Sequence, residues 1–194
     1  MLATRDPEDK RPVLIMTQDE GRFGLISDPR ACWAPPGVRP KVPKQVVRQY
    51  LYTYAAVAPA LGTMTSLILP YANTEMMNIF LKQVSEDFKE YFVVMLLDQA
   101  GWHGSNDLVV PENIRLVSQP SHSPEVNPTE HIWDALRENG FHNLAFDSLE
   151  ELQATLCVAL NELHDDPVSL KSLTNFPYLR CDDFLKGQFS FVPI

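Results

Sequence analysis

Cationic residues are scarce in this chain: 16 Lys and Arg against 25 Asp and Glu leave a formal net charge of −9. That deficit argues against a surface devoted throughout to phosphates, because such surfaces bind in proportion to their Lys and Arg. Cysteine is scarce as well. Cys32, Cys157 and Cys181 are too scattered for a disulfide framework or a zinc knuckle, and His122 and His131 have no zinc spacing with any of them. A reducing cytoplasm suits that usage. No apolar run approaches the length of a bilayer span, the strongest being Phe92 to Leu97. The polar N-terminus has no signal-peptide core. Missing, too, are a glycine-rich phosphate loop and a Gly-x-Ser-x-Gly element, which sets aside ATP use and serine hydrolysis.

What remains is ordinary globular material, 45% hydrophobic and 21% charged over 194 residues, enough for one domain with a real core. The few cations are unevenly spread. No acid lies between Asp28 and Glu75, whereas Arg30, Arg39, Lys41, Lys44 and Arg48 do, a local charge of +5. Pro29, Pro35, Pro36, Pro40, Pro43 and Gly37 make 28–44 an extended, Pro-rich arm. It reads either as a solvated loop or as a basic surface for a phosphate backbone or a partner subunit.

The spacing of apolar residues gives the element order. Residues 13–18 read as a first strand ending in acid, and 23–27 as a second after a turn at Gly21. Residues 49–58 and 63–69 flank Pro59 to Gly62 as a hairpin. Asn73 caps a helix carrying Met76, Met77, Phe80, Leu81, Val84 and Phe88. The unbroken run 92–97 suits a central strand buried on both faces. A short strand at 114–118 and helices near 128–139 and 148–164 follow, the last opened by a Ser148–Glu151 capping box. Cys157 falls within its apolar pattern and is expected in the core. The predicted class is α/β, an RNase H-like mixed sheet of three antiparallel strands and then parallel strands, flanked by helices. A lead-in of 1–12, a domain of 13–166 and a mixed tail of 167–194 complete the expectation.

Three acids stand at suggestive places in that order. Asp19 ends the first strand, with adjacent Glu20 pointing to the other face; alone, it reads as a strand-end acid starting a turn. Asp98 ends the buried run, where an ionised carboxylate is costly unless paired or bound to metal, and where open α/β sheets form ligand crevices. Glu130 has a structural alternative, with Asn127 as N-cap and Pro128 at the first helical position, so that Glu130 closes a capping box. His103 reads as a substrate-orienting group or an ordinary hydrogen-bonded loop histidine.

Taken together, the flanking residues say more. Gln18-Asp19-Glu20-Gly21-Arg22-Phe23-Gly24, Leu96-Leu97-Asp98-Gln99-Ala100-Gly101-Trp102-His103, and Ser123-Pro124-Glu125-Val126-Asn127-Pro128-Thr129-Glu130-His131-Ile132-Trp133 closely resemble the DDE transposases of the mariner superfamily, in its bacterial insertion-sequence branch. The resemblance runs from about Val13 to Leu163. It implies that Asp19, Asp98 and Glu130 hold two Mg²⁺ or Mn²⁺ ions, with His103 and Asn127 in support. It also implies strand cleavage at transposon ends followed by strand transfer, with DNA and a second copy of the chain as partners. Two such ions, about 4 Å apart, clamp the attacking and leaving oxygens of a phosphodiester. By the same resemblance the basic arm, with Arg30, Arg39, Lys41, Lys44 and Arg48, meets DNA or the second subunit. Three departures stand out. Asp98 and Glu130 are 32 positions apart, slightly tight for the family, and His122 replaces its usual tyrosine. The family's N-terminal helix-turn-helix region has no counterpart here. A catalytic half inactive alone, a separate helix-turn-helix chain, or a domesticated, non-catalytic DNA-binding or assembly protein each fit that gap. A general nuclease of the same fold is a third alternative.

Overall fold

The computed structural model describes residues 5–6, 8–27, 29–120, 124–176 and 179. Asp28 at the start of the arm, His122, Ser123, and in the tail 177–178 and 180–194 with Cys181, fall outside them.

Strand β1 spans Val13–Ile26, β2 Val46–Ala58 and β3 Thr63–Leu69; helix α1 spans Thr74–Asp87, β4 Phe92–Leu97 and β5 Ile114–Ser118. Helices α2 (Thr129–Leu136), α3 (Leu149–His164) and α4 (Pro167–Thr174) follow, and a wider π turn at Arg137–Phe141 extends α2. The sheet order is β3-β2-β1-β4-β5, with β1, β2 and β3 antiparallel and with β4 parallel to both β1 and β5. This is the predicted mixed sheet.

Alternation along β1 divides the core into two layers. Leu14 and Met16 join Tyr54, Val93 and Met95 beneath Met77, Phe80, Leu81 and Val84 of α1. Phe23 and Leu25 join Ala55 and Val57 beneath Ile132, Trp133 and Leu136 of α2, Leu152, Leu156 and Leu160 of α3, and Leu170 of α4. Both faces of the sheet are therefore covered, which is why 92–97 reads as unbroken apolar sequence.

Several sequence expectations need correction. The first two predicted strands are one, because β1 pairs with β2 continuously from Thr17↔Val57 to Gly24↔Tyr50. Gly21 makes no turn; it lets Trp133 approach, since a Cβ there would lie 2.8 Å from Trp133 Cδ2. Gly24 leaves room for the Tyr50 ring, and the register slips between Gly24 and Ile26 in a bulge. The first hairpin strand starts earlier than expected, at Val46. Cys157 is exposed, because the buried stripe of α3 steps by four through Leu152, Leu156 and Leu160 and leaves it one position to the side. Helix α4 was not foreseen; Asp166 caps it through the Ser169 amide at 3.0 Å, with Pro167 in its first turn. Among the described residues no helix is long and apolar enough to cross a membrane.

Candidate active site

Parallel pairing brings the first two acids together. The register Ile15↔Val94, Thr17↔Leu96, carried on by two positions, sets Asp19 level with Asp98. Asp98 lies just past the end of β4, whereas Asp19 stands inside β1, which runs on to Ile26, and does not end its strand as the sequence suggests. The third acid comes from α2, whose start is stitched to the end of β1. Asn127 Nδ2 donates to the Gln18 carbonyl at 3.0 Å, and the Thr17 and Thr129 hydroxyls meet at 2.9 Å, all of them buried. Asn127 Oδ1 accepts the Thr129 amide at 3.2 Å. Helix α2 begins one residue later than its sequence suggests, with Pro128 as N-cap. Asn127, the expected N-cap, thus caps the first turn from one position further out.

Burial and neighbouring charge raise two of the three carboxylates. Asp19 is pushed up to about 7, first by burial and then by the charge of Glu130, with Glu20 adding to it; Trp133 Nε1, donating to Asp19 Oδ2 at 2.7 Å, works against the rise. Burial also raises Glu130; Arg137 opposes the rise, and the charges of Asp134 and Asp98 add to it. Asp98 is half exposed beyond β4, and its Oδ1 accepts the Ala100 amide at 2.9 Å. An open hollow of about 460 Å³ lies against Asp98, Gln99, His103 and Ser118.

His103, in the single 3₁₀ turn Gly101–Gly104, sits behind Asp98. Its Nδ1 is 2.9 Å from Asp98 Oδ1 and its Nε2 3.1 Å from Glu20 Oε1. Burial disfavours the charged ring, but the Glu20 hydrogen bond and charge, with Asp98 behind them, raise its pKa above the ordinary histidine value. Both ring nitrogens face acceptors, an arrangement that only the doubly protonated ring satisfies fully. Glu20 also accepts from Gln18 Nε2 at 3.1 Å and Trp102 Nε1 at 3.3 Å. Sequence reasoning missed Glu20 and Trp133; their positions beside Asp19 and three residues after Glu130 were the available signals.

Among the described residues no group of three His, Cys, Asp or Glu side chains already converges as an ion cage. Asp98 leans toward His103, while Asp19 is held by Trp133. The donor set still fits a hard divalent cation, which prefers carboxylate oxygens, and the crowded charge that raises Asp19 and Glu130 is what a cation would relieve. Arg30, Arg39, Lys41, Lys44 and Arg48 are exposed along the arm and the start of β2. Hydrogen bonds anchor the arm: the Arg30 amide donates to Asn143 Oδ1 at 2.9 Å, the Ser27 amide to the Gln45 carbonyl at 3.0 Å, and Gln45 Nε2 to the Phe146 carbonyl at 2.7 Å.

Residues 14–153 match the family described as DDE superfamily endonuclease. The uncharacterized protein y4pE/y4sA of Sinorhizobium fredii (strain NBRC 101917 / NGR234) is 37% identical over 125 residues, which is 64% of this chain and 93% of that protein. The Mos1 mariner paired end complex with Mn superposes with a TM-score of 0.59 at 15% identity, covering 91% of this chain and 57% of that one. The pre-cleavage Mos1 transpososome gives 0.58 at 15% identity, covering 84% and 55%. The isolated catalytic domain of Mos1 mariner transposase gives 0.50 at 13% identity, covering 84% and 81%. The chain thus spans little more than half of the Mos1 chains in those two assemblies. The match across most of its length places this chain in the DDE superfamily endonucleases, with the RNase H-like fold of a mariner transposase catalytic domain.

Proposed function

We propose that this chain cuts DNA strands at the ends of an insertion sequence and joins them to target DNA, using Asp19, Asp98 and Glu130 to hold two Mg²⁺ or Mn²⁺ ions. The observation that carries the reading is the placement of Asp19 level with Asp98, with Asp19 lifted to about 7 first by burial and then by the charge of Glu130. Carboxylates raised by burial and a neighbouring charge cluster at functional sites. When bound, the ions supply positive charge against the attacking and leaving oxygens of the scissile phosphodiester.

The chain's own residues do the positioning. Trp133 fixes one oxygen of Asp19 and leaves the other free to face a cation. Asn127 and Thr129 hold the first turn of α2 against β1, so that Glu130 arrives at the same level. The exposed cations of the arm supply the positive surface that the acidic domain lacks, and they would meet the DNA backbone or a second copy of the chain. The Mos1 complexes with Mn and with Mg support the choice of cation by analogy.

The test is a labelled DNA duplex incubated with the purified chain and Mn²⁺. Nicking is expected, and Asp98→Asn should lower it by more than the roughly 10–100-fold that loss of an outer partner costs. Equal nicking by both proteins would remove Asp98 from the site. Absence of both nicking and Mn²⁺ binding in the wild type would favour a non-catalytic DNA-binding or assembly protein.

A further inference from the structure

Behind the three acids lies a group of polar side chains with no part in the reading above. Glu20 has the opposite parity from Asp19 on β1, so it cannot join the acid cluster. It is nevertheless the meeting point of three donors: Gln18 Nε2 at 3.1 Å, His103 Nε2 at 3.1 Å and Trp102 Nε1 at 3.3 Å. The Glu20 and His103 side chains are only 7% and 5% exposed, whereas the Asp98 side chain is 54% exposed. All three donors meet one oxygen, Oε1, of a buried carboxylate, and the other edge of the imidazole faces Asp98, its Nδ1 hydrogen-bonded to the Asp98 carbonyl at 3.2 Å and 2.9 Å from the half-exposed Oδ1. The Trp102 ring packs edge-on against His103 at 5.7 Å and limits the tilt of the imidazole.

We infer that Glu20 is a positioning residue that acts through His103 to hold the Asp98 carboxylate in its working orientation. The argument is one of freedom. Asp98 lies past the last residue of β4, so the sheet ladder does not fix its side chain. The 3₁₀ turn at 101–104 supplies the missing constraint, and Glu20 secures that turn to β1. The chain Glu20–His103–Asp98 ties the middle of β1 to the residue just past β4, the two places whose acids, Asp19 and Asp98, must stay level. Outer hydrogen bonds of this kind set the orientation of carboxylates that hold metal ions. The inference rests on the place given to Asp98 in the proposed site.

The experiment uses the full chain and two readouts. Mn²⁺ affinity is read without DNA, from the paramagnetic resonance signal of free Mn²⁺, and nicking is resolved into kcat and KM for DNA. Glu20→Ala and His103→Ala should each weaken Mn²⁺ binding and lower kcat by about 10–100-fold, with KM changed less than about twofold. Glu20→Gln, which keeps an acceptor oxygen at the same reach, should recover most of the loss. The double variant Glu20→Ala/His103→Ala should be no worse than either single one, because both residues act along one chain. Wild-type Mn²⁺ affinity in Glu20→Ala, or additive losses in the double variant, would overturn the inference. Should Glu20→Ala fail to fold, His103→Ala and Glu20→Gln carry the same test, and wild-type affinity in His103→Ala is then decisive against it. Asp98→Asn separates the two levels. Normal Mn²⁺ binding by that variant refutes the site itself, whereas lost binding there with normal binding in Glu20→Ala refutes only the positioning.

Discussion

Asp19 and Glu20 are neighbours in β1, yet they face opposite sides of the sheet, and the two sides treat a carboxylate in opposite ways. On the α2 side Asp19 is offered a single side-chain donor, Trp133 Nε1, and shares its surroundings with Glu130. On the α1 side Glu20 is offered three donors and a histidine that gains positive charge from the contact. The difference separates two jobs. A carboxylate left short of positive partners would keep lone pairs for a cation, whereas one that gathers three donors on a single oxygen is suited to be an anchor. Unfavourable electrostatics on one face are thus backed by favourable electrostatics on the other, across a single strand.

The largest test of that contrast removes each acid in turn. Glu20→Ala leaves the donors of Gln18, Trp102 and His103 without their shared acceptor in a buried place, a loss expected to cost about 3 kcal/mol. Asp19→Asn keeps an oxygen for Trp133 and removes a charge that Glu130 repels, so in metal-free protein at pH 8 it should gain about 1 kcal/mol. For a chain of this size each kcal/mol moves the melting temperature by about 2–4 °C. Thermal melts of the two variants should therefore shift in opposite directions, and shifts of the same sign would break the comparison.

A smaller effect probes the α2 side alone. A methyl group at Gly21 would sit 2.8 Å from Trp133 Cδ2 and 2.9 Å from Cε3, pressing on the ring that holds Asp19. Gly21→Ala should cost about 2 kcal/mol through overpacking and shift the tryptophan fluorescence. A neutral substitution would show that Trp133 is free to yield, and that Asp19 is not held as tightly as its 2.7 Å hydrogen bond implies.

These positions also mark where the sequence was readable. Local signals came through: Asn73 Oδ1 accepts the Met76 amide at 2.9 Å, Ser148 Oγ accepts the Glu151 amide at 3.2 Å, and 92–97 forms the central strand. The three acids stand out in the sequence through the residues that flank them; singly only Asp98, just past β4, stands apart, and Asp19 lies inside β1 rather than at its end. What stayed hidden depends on distant partners. Gly21 and Gly24 look like turn residues until Trp133 and Tyr50 come to fill the space they leave. Glu20 looks like a spare acid until His103, 83 positions away, turns toward it. Cys157 was misplaced because Leu152, Leu156 and Leu160 bury a narrow stripe of α3, and the sequence does not show how wide that stripe is.

The finest test follows the protons. Asp19 ionises in the unfolded chain near its ordinary 3.8 but in the folded protein only near about 7. Between those values the folded state holds a proton that the unfolded state has released, so in metal-free protein stability falls as pH rises through the window. The raised pKa of His103 works in the same direction: its contribution is full below the ordinary 6.5 and is lost as pH climbs through the folded value. Asp19→Asn removes the first slope and leaves the second. The difference in stability between wild type and Asp19→Asn should therefore widen by about 1 kcal/mol from pH 5 to pH 8 without metal, a figure kept small because solvent reaches part of the carboxylate. Saturating Mn²⁺ should close that gap at pH 8 and change little at pH 5, because the cation takes the place of the proton. A gap that is constant with pH would mean that Asp19 does not carry the strain on the α2 side, and the contrast with Glu20 would then rest on hydrogen bonding alone.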